Sequence, residues 1–472
     1  MVTSIKKNYL YNAFYNILVL ILPLITAPYI SRVMGAEKVG IYSYAYSVSS
    51  YFGLFILLGL NNYGNRTIAS VKESKKELSK TFWNIYAMQL ILGFFIGFFY
   101  FIYVIFLAKN KTMAFIQIIY LISVIMDINW FFFGMEKFKL TVTRNTLIKV
   151  LSVLCMFAFV RDSEDIYVYA LLMVSSPVIS QIFLWIFLKK YINFVKPTFK
   201  EIRKHIVPNL VLFIPVIAIS LYTIMDKVML GTMSSMREVG YYESSNKLTA
   251  IPSMAITSLG TVMLPRMSNL IANGKGEEAK RYIEKSLVVS VFLSTSMAFG
   301  LSAVSKEFVP FFYGKGFEKC IYIIPILVLS SIFISWANVI RTQYLIPNKK
   351  DKVYIVSVFV GAGVNIIINL ILIPCLQSVG AAIGTVFAEF SVCVYQTYKV
   401  RKEIRVWKYL RDNLPFFFCA IFMYLVVVSI PFILNNLITI FVKIIVGVFV
   451  YFVFLVIFHK LKRYCINRRK VQ

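Results

Sequence analysis

Charge is what this sequence has least of. Only 15% of its 472 residues are Asp, Glu, Lys or Arg, against about 25% in soluble proteins. Hydrophobic residues reach 59%, more than a soluble exterior can hide, so a soluble enzyme and a disordered chain are both excluded. Histidine is nearly missing. His205 and His459 are the two present, and neither has metal-ligand spacing. Six cysteines (Cys155, Cys320, Cys375, Cys393, Cys419 and Cys465) lie scattered with no C-x-x-C pair, so a packing role fits better than a disulfide or a metal site. No G-x-x-x-x-G-K-[ST] loop is present, which removes the usual sign of ATP hydrolysis. Asn273-Gly274-Lys275-Gly276 reads as a turn.

What is there is apolar length. A membrane span takes ~20 mostly apolar residues. Fourteen such runs follow one another, at 13–34, 40–60, 82–107, 113–134, 146–160, 166–188, 209–231, 240–265, 286–305, 320–342, 353–374, 379–398, 414–434 and 437–458. The fifth is short and the eighth polar. Lys6 and Lys7 precede the first run without a convincing cleavage site, so it reads as an uncleaved span. The net charge of +29 has a topological explanation. With both termini cytoplasmic, 38 of the 50 Lys and Arg fall in inner segments and nine on the outer side. This is the bias that orients membrane proteins, and it leaves no need for a nucleic-acid partner. The loops between spans are too short for a soluble domain or an extramembrane active site. The acidic run Asp162–Asp165 reads as a solvated turn.

An internal repeat runs through the spans. Val39-Gly40-Ile41-Tyr42 returns as Val239-Gly240-Tyr241-Tyr242, and Arg66 returns as Arg266. Ile128-Asn129-Trp130 resembles Ile334-Ser335-Trp336. The organisation expected is an N-terminal lobe over 1–188 (spans 1–6), a cytoplasmic linker over 189–208, and a C-terminal lobe over 209–398 (spans 7–12). Spans 13 and 14 and a basic tail are appended over 399–472. Each lobe has an even number of spans, so the copies share one orientation, a layout that suits alternating access around a site between them.

The chemically informative residues are polar ones inside spans, where a charge needs a partner or a wet cavity. Arg32, Lys227 and Lys247 are cations at or near the outer ends of spans, and Arg66 and Arg341 lie at inner ends. Asp226, Glu389 and Asp127 are the carboxylates to consider for ion coupling, since a carboxylate moving between wet and dry surroundings can take up and release a proton. Each has a plainer reading. Glu243 and Lys247 can pair along one helix turn, and Arg66, Arg341 and Lys443 can reach the headgroups. Tyr42, Tyr46, Tyr242 and Asn246 offer stacking faces and hydrogen bonds to a sugar, or an ordinary interfacial belt. Asn365 and Asn369 fit better as ties between helices.

Four stretches taken together carry a family resemblance. They are Pro28-Tyr29-Ile30-Ser31-Arg32-Val33-Met34-Gly35, Asp127-Ile128-Asn129-Trp130 running to Lys139, Asp226-Lys227-Val228-Met229-Leu230-Gly231, and Pro347-Asn348-Lys349-Lys350 with Gly380-Ala381-Ala382-Ile383-Gly384-Thr385. Over most of residues 5–400 the chain resembles the polysaccharide exporters of the multidrug/oligosaccharidyl-lipid/polysaccharide flippase superfamily, the O-antigen and capsule repeat-unit flippases. The fold expected is all-α and polytopic, fourteen transmembrane helices by apolar length, and the resemblance implies that it is like that of multidrug exporters, with two six-helix lobes around a cationic cavity. It implies a non-enzymatic flippase in the cell (plasma or inner) membrane, moving an undecaprenyl-diphosphate-linked oligosaccharide to the outer leaflet. Its partners would be that substrate, membrane lipids and the polysaccharide polymerase machinery. It implies no cofactor, and coupling, if any, to a proton or sodium gradient. The alternatives weighed are a cation-coupled drug antiporter of the same fold, a flippase for peptidoglycan or teichoic-acid intermediates, and a membrane polymerase or ligase. The last lacks the large outer loop such enzymes carry.

Overall fold

A computed structural model of the chain describes residues 2–471, with side chains described for 21–458 except Phe138, Ala255 and Ile256. Lys6, Lys7, His459 and Cys465 fall outside the described side chains. The helices, in chain order, are α1 (Val2–Leu57), α2 (Leu60–Val71), α3 (Lys75–Phe106), α4 (Lys111–Ile125), α5 (Asn129–Gly134) and α6 (Phe138–Phe159). They continue as α7 (Ile166–Leu188), α8 (Phe199–Thr223), α9 (Met225–Met233), α10 (Met236–Ala272) and α11 (Gly276–Tyr313). The last are α12 (Cys320–Ile340), α13 (Asp351–Leu376), α14 (Ser378–Val400), α15 (Val406–Ser429) and α16 (Asn436–Val471). Among the described residues there is no β-strand. That is what a bilayer demands of an open chain, since helices satisfy their own backbone groups.

Thirteen segments of the described residues are long and apolar enough to cross a membrane. The first, Ile21–Val71, has 51 residues and as one unbroken helix would be roughly 75 Å long, over twice the ~30 Å hydrocarbon core. It breaks at Gly35 (φ 70, ψ 173), a conformation essentially reserved for glycine, so it crosses twice and the crossings number fourteen. Large apolar side chains such as Phe94, Phe106, Phe441 and Phe449 are exposed, as faces turned to lipid would be.

Three boundaries differ from the sequence expectation. α6 starts at Phe138, so Arg144 and Lys149 belong to a helix and not to an inner loop. The fourth span is interrupted between α4 and α5, and the seventh between α8 and α9. Polar atoms released at the first break are claimed by Gln89. Its Nε2 donates to the carbonyls of Val124 and Asp127 at 2.9 Å each, and its Oε1 accepts from Trp130 Nε1 at 3.2 Å.

The chain forms two compact units, Met1–Gly240 and Tyr241–Gln472. In the first, an aromatic core gathers Phe82, Trp130, Phe131 and Phe132 with Leu184. A Cβ on Gly64 would come within 2.7 Å of the Trp130 ring, so this glycine lets α2 press against α5. α8 packs on α2 and α3, and α9 on α1. Both helices thus belong to the first unit, and the division falls after 189–208, at Gly240. The two Val-Gly words meet inside this unit. A Cβ on Gly40 would lie 1.7 Å from the Met236 carbonyl oxygen, and one on Gly240 would lie 1.8 Å from that of Ala36. Each glycine touches the residue four before its counterpart, the reciprocity a local two-fold axis produces.

In the second unit α11 is central, packing on α12, α15 and α16. α13 and α14 approach closely, and a Cβ on Gly384 would come 2.1 Å from Asn369 Oδ1. Asn365 and Asn369 are fully buried there on the face of α13 turned to α14, and Asn369 Nδ2 donates to Asn365 Oδ1 at 3.2 Å, a bond along their own helix and not the interhelical tie expected. Lys443 does not reach for headgroups. It is 5% exposed and donates to Glu307 Oε1 at 2.8 Å, linking α16 to α11.

Candidate functional site

Two cavities inside the first unit share Tyr120, Val124 and Leu57. The larger, about 490 Å³, is bounded by α1, α4, α6 and α7. Asp127, Asn129, Asn145, Lys149, Ser180 and Gln181 supply its polar lining. The smaller, about 290 Å³, holds Lys227 with Tyr46, Ser47 and Ser50. Such hydroxyls, amides and a lysine within membrane-spanning helices favour a wet cavity over a purely structural core.

Asp127 sits in the break between α4 and α5. Its Oδ1 accepts from the backbone N of Asn129 at 2.8 Å and from Asn129 Nδ2 at 2.7 Å, so it starts α5. Arg144, only 8% exposed, donates through Nη2 to Asn129 Oδ1 at 3.0 Å and to Asn145 Oδ1 at 2.7 Å. The guanidinium is also within electrostatic reach of Asp127. A buried charge needs such partners, and here Asn129 links the two, donating to Asp127 and accepting from Arg144.

Aromatic rings run beside this network. Tyr169 meets Tyr42 edge-on at 4.9 Å, Tyr42 stacks on Tyr46 at 6.0 Å, and Tyr46 meets Tyr120 edge-on at 5.1 Å. Tyr42 and Tyr46, expected from the sequence, are thus joined by Tyr120 and Tyr169, which were not singled out. Nothing in their own helices marks these two, since Tyr is common throughout. Arg144 and Lys149 were missed for another reason: they were counted as loop charges.

The remaining expected residues are distributed. Asp226 is fully buried in the first turn of α9, within electrostatic reach of Tyr51, whose hydroxyl donates to the Ser220 carbonyl at 2.8 Å. Arg32 is exposed and donates to the Pro28 carbonyl at 3.2 Å. Arg66 is exposed on α2. Neither lines the two cavities. In the second unit Lys247 pairs with Glu243 at 3.4 Å along α10, with Asn246 beside it. Arg341 opens a π-helical turn, donates to Asn338 Oδ1 at 2.7 Å and is within electrostatic reach of Glu389. Tyr242 is 2% exposed and shares a 2.8 Å hydrogen bond with Thr385, which makes it a packing residue. His205 is held by Tyr63 at 2.6 Å, a helix-to-helix tie. Among the described residues no cluster of His, Cys, Asp and Glu has the makings of a metal site.

A membrane-embedded polar cavity edged by cations and tyrosines narrows the class, and comparison with known proteins supplies the family. The sequence pattern described as "Polysaccharide biosynthesis protein" matches residues 5–271, more than half of the chain. The chain belongs to this family. The pattern described as MatE matches residues 211–371 of this polysaccharide biosynthesis family member. A putative O-antigen transporter of Escherichia coli (strain K12) is 22% identical over 399 residues, covering 82% of this chain and 94% of that protein. A probable low-salt glycan biosynthesis flippase of Haloferax volcanii is 25% identical over 190 residues, 40% of each chain. Among solved structures, an inward closed lipid II flippase superposes with a TM-score of 0.79 at 16% identity, covering 96% of this chain and 98% of that one. At that identity the likeness establishes the fold.

Proposed function

We propose that this family member is a flippase that carries an undecaprenyl-diphosphate-linked oligosaccharide repeat unit from the cytoplasmic to the outer leaflet for surface polysaccharide, by alternating access. The observation that carries the reading is the pair of cavities in the first unit, whose mainly apolar walls carry Lys227, tyrosines and an amide cluster. The relatives named as an O-antigen transporter and a glycan flippase support the same substrate class. A diphosphate brought into the membrane loses hydration that fixed cations must replace. Lys227 serves that need in the first unit and Lys247 and Arg341 in the second, with the exposed Arg32 and Arg66, outside the two cavities, as further candidates. Tyr42, Tyr46, Tyr120 and Tyr169 offer rings to sugar faces, and Asn129, Asn145, Asn246 and Gln181 offer amides to hydroxyls. Glu243, paired with Lys247, weakens the grip enough for release. Asp226, Glu389 and Asp127 are the carriers through which a proton or sodium gradient drives the cycle. The protein is a multi-pass inner-membrane protein with both termini cytoplasmic, working beside the polysaccharide polymerase machinery.

The test is reconstitution in liposomes with a fluorescent polyprenyl-diphosphate oligosaccharide in the inner leaflet. Arrival of the label at an outer-leaflet quencher, driven by an imposed proton or sodium gradient, is the expected result. Transport of a cationic dye with no movement of the lipid would establish the antiporter alternative instead. Lipid movement indifferent to both gradients would remove the coupling carboxylates from the scheme.

A further inference from the structure

The stretch 399–413 carries six Lys and Arg with only Glu403 and Asp412 to oppose them. Glu403 is engaged by Lys350 and Tyr344. Lys408 is engaged by Glu284 at 2.7 Å. Arg401 and Arg411 have no ion pair among the described residues, and both are exposed. Arg401 lies 3.4 Å from the centroid of the Tyr398 ring and donates through Nη1 to that residue's carbonyl at 2.7 Å. This pairing parks the guanidinium and leaves its other donors available.

Both arginines edge a cavity of about 620 Å³ contained entirely in the second unit, among α11, α12, α14 and α15. Val291, Phe333, Trp336, Phe390, Leu414 and Phe417 line it, and its polar lining is slight. Of its two indoles, Trp336 and Trp407, the inner one, Trp336, already spends its N–H on Thr397 Oγ1 at 3.0 Å. The cavity opens sideways. Phe390 is 44% and Leu414 51% exposed, and Trp407, beside Arg401 and Arg411, is 79% exposed. An exposed tryptophan next to arginines at the end of membrane helices is the signature of the headgroup level.

We propose that this cavity is a binding site for an anionic glycerophospholipid, with an acyl chain among the phenylalanines and the phosphate held by Arg401 and Arg411. The apolar lining and lateral mouth call for a chain arriving from the bilayer and not for a soluble anion. Two arginines with no carboxylate to answer them call for a net negative headgroup, and basic pockets between helices at the cytoplasmic side bind such heads. Basic residues stand at one end only, so the cavity suits a lipid that stays in one leaflet better than a substrate that crosses. A lipid seated there bridges α15 to α12 and α14.

The experiment uses the full chain, purified in neutral detergent, stripped of lipid and titrated with dioleoylphosphatidylglycerol or dioleoylphosphatidylcholine under native mass spectrometry. Each arginine at the headgroup contributes about fivefold, so phosphatidylglycerol is expected to bind some twenty- to thirtyfold more tightly. Arg401→Gln with Arg411→Gln should bring the two lipids to parity at unchanged helical content. Cys393→Trp, which fills the cavity from α14, should weaken both lipids while leaving the arginines in place. Lys275→Gln with Arg281→Gln, removing two exposed cations elsewhere, should change nothing. Parity in the unaltered protein, or a phosphatidylglycerol preference that survives the double arginine change, overturns the proposal. So does displacement of phosphatidylglycerol by polyprenyl phosphate that Cys393→Trp abolishes, which would make the cavity a seat for the substrate's tail.

Discussion

The buried pair Lys443–Glu307 allows a quantitative test of how α16 is held. The two side chains are 5% and 8% exposed, Lys443 Nζ meets Glu307 Oε1 at 2.8 Å, and Glu307 Oε2 has no hydrogen-bond partner. Removing one member leaves a charge in a low-dielectric site, which costs about 3–5 kcal/mol, whereas replacing both by apolar residues of similar size is near neutral. The pair lies where α16 packs on α11, close to the cluster of Ala303, Val304, Cys419, Met423 and Tyr451. Tyr451 shares a 3.0 Å hydrogen bond with Thr295 as a second clasp. The cost therefore falls on local undocking of α16, not on unfolding of the whole chain. A 3 kcal/mol loss multiplies the open population by roughly 10², and more if the cost is higher. Cys419 reports that opening, being 3% exposed in the same cluster. With the other five cysteines replaced by alanine, Lys443→Met or Glu307→Met should speed maleimide labelling of Cys419 at least a hundredfold. The double Met variant should label close to the parent rate. Singles that label no faster than the parent, or a double as fast as the singles, would refute the reasoning.

Further outcomes follow from other contacts. Lys247→Gln is expected to cut surface-polysaccharide export at equal membrane expression, and Lys247→Arg to be milder, since charge matters more than fork geometry at a pair 3.4 Å long; export would be read by polysaccharide immunoblot. Gly40→Ala and Gly240→Ala should each cost roughly 1–3 kcal/mol by overpacking, yet combine sub-additively in thermal unfolding, because separating the helices for one methyl makes room for the other. Burial works against ionisation of Glu403, but hydrogen bonds from Lys350 and Tyr344 outweigh it and hold the carboxyl below its ordinary value. Its contribution is therefore complete above the ordinary glutamate range near pH ~4.3 and lost as pH falls through the lowered value. Hydrogen exchange over 345–350, corrected for intrinsic rate, should rise only in acid, and Glu403→Gln should show that faster exchange at neutral pH.

What the sequence determined by itself was whatever depends on counting along the chain. Fourteen crossings follow from apolar length, because a bilayer imposes one dimension on every helix. The orientation expected follows from where Lys and Arg fall, and the family resemblance from ordered short words such as Val39-Gly40 and Asp127-Ile128-Asn129-Trp130. The reach of that logic ended where distant residues had to be brought together. Asp127 looked like a proton carrier, and only the fold brought Arg144, hidden among residues counted as a loop, onto its neighbour Asn129. Tyr120 and Tyr169 became cavity residues only when α4 and α7 closed on α1. Lys443 seemed free to reach the headgroups until packing set it on Glu307, 136 residues away. Periodicity and length are local properties that any window of sequence carries. A partner across the bundle is decided by which helix faces meet, and hydropathy says only that a face is apolar, not which neighbour covers it.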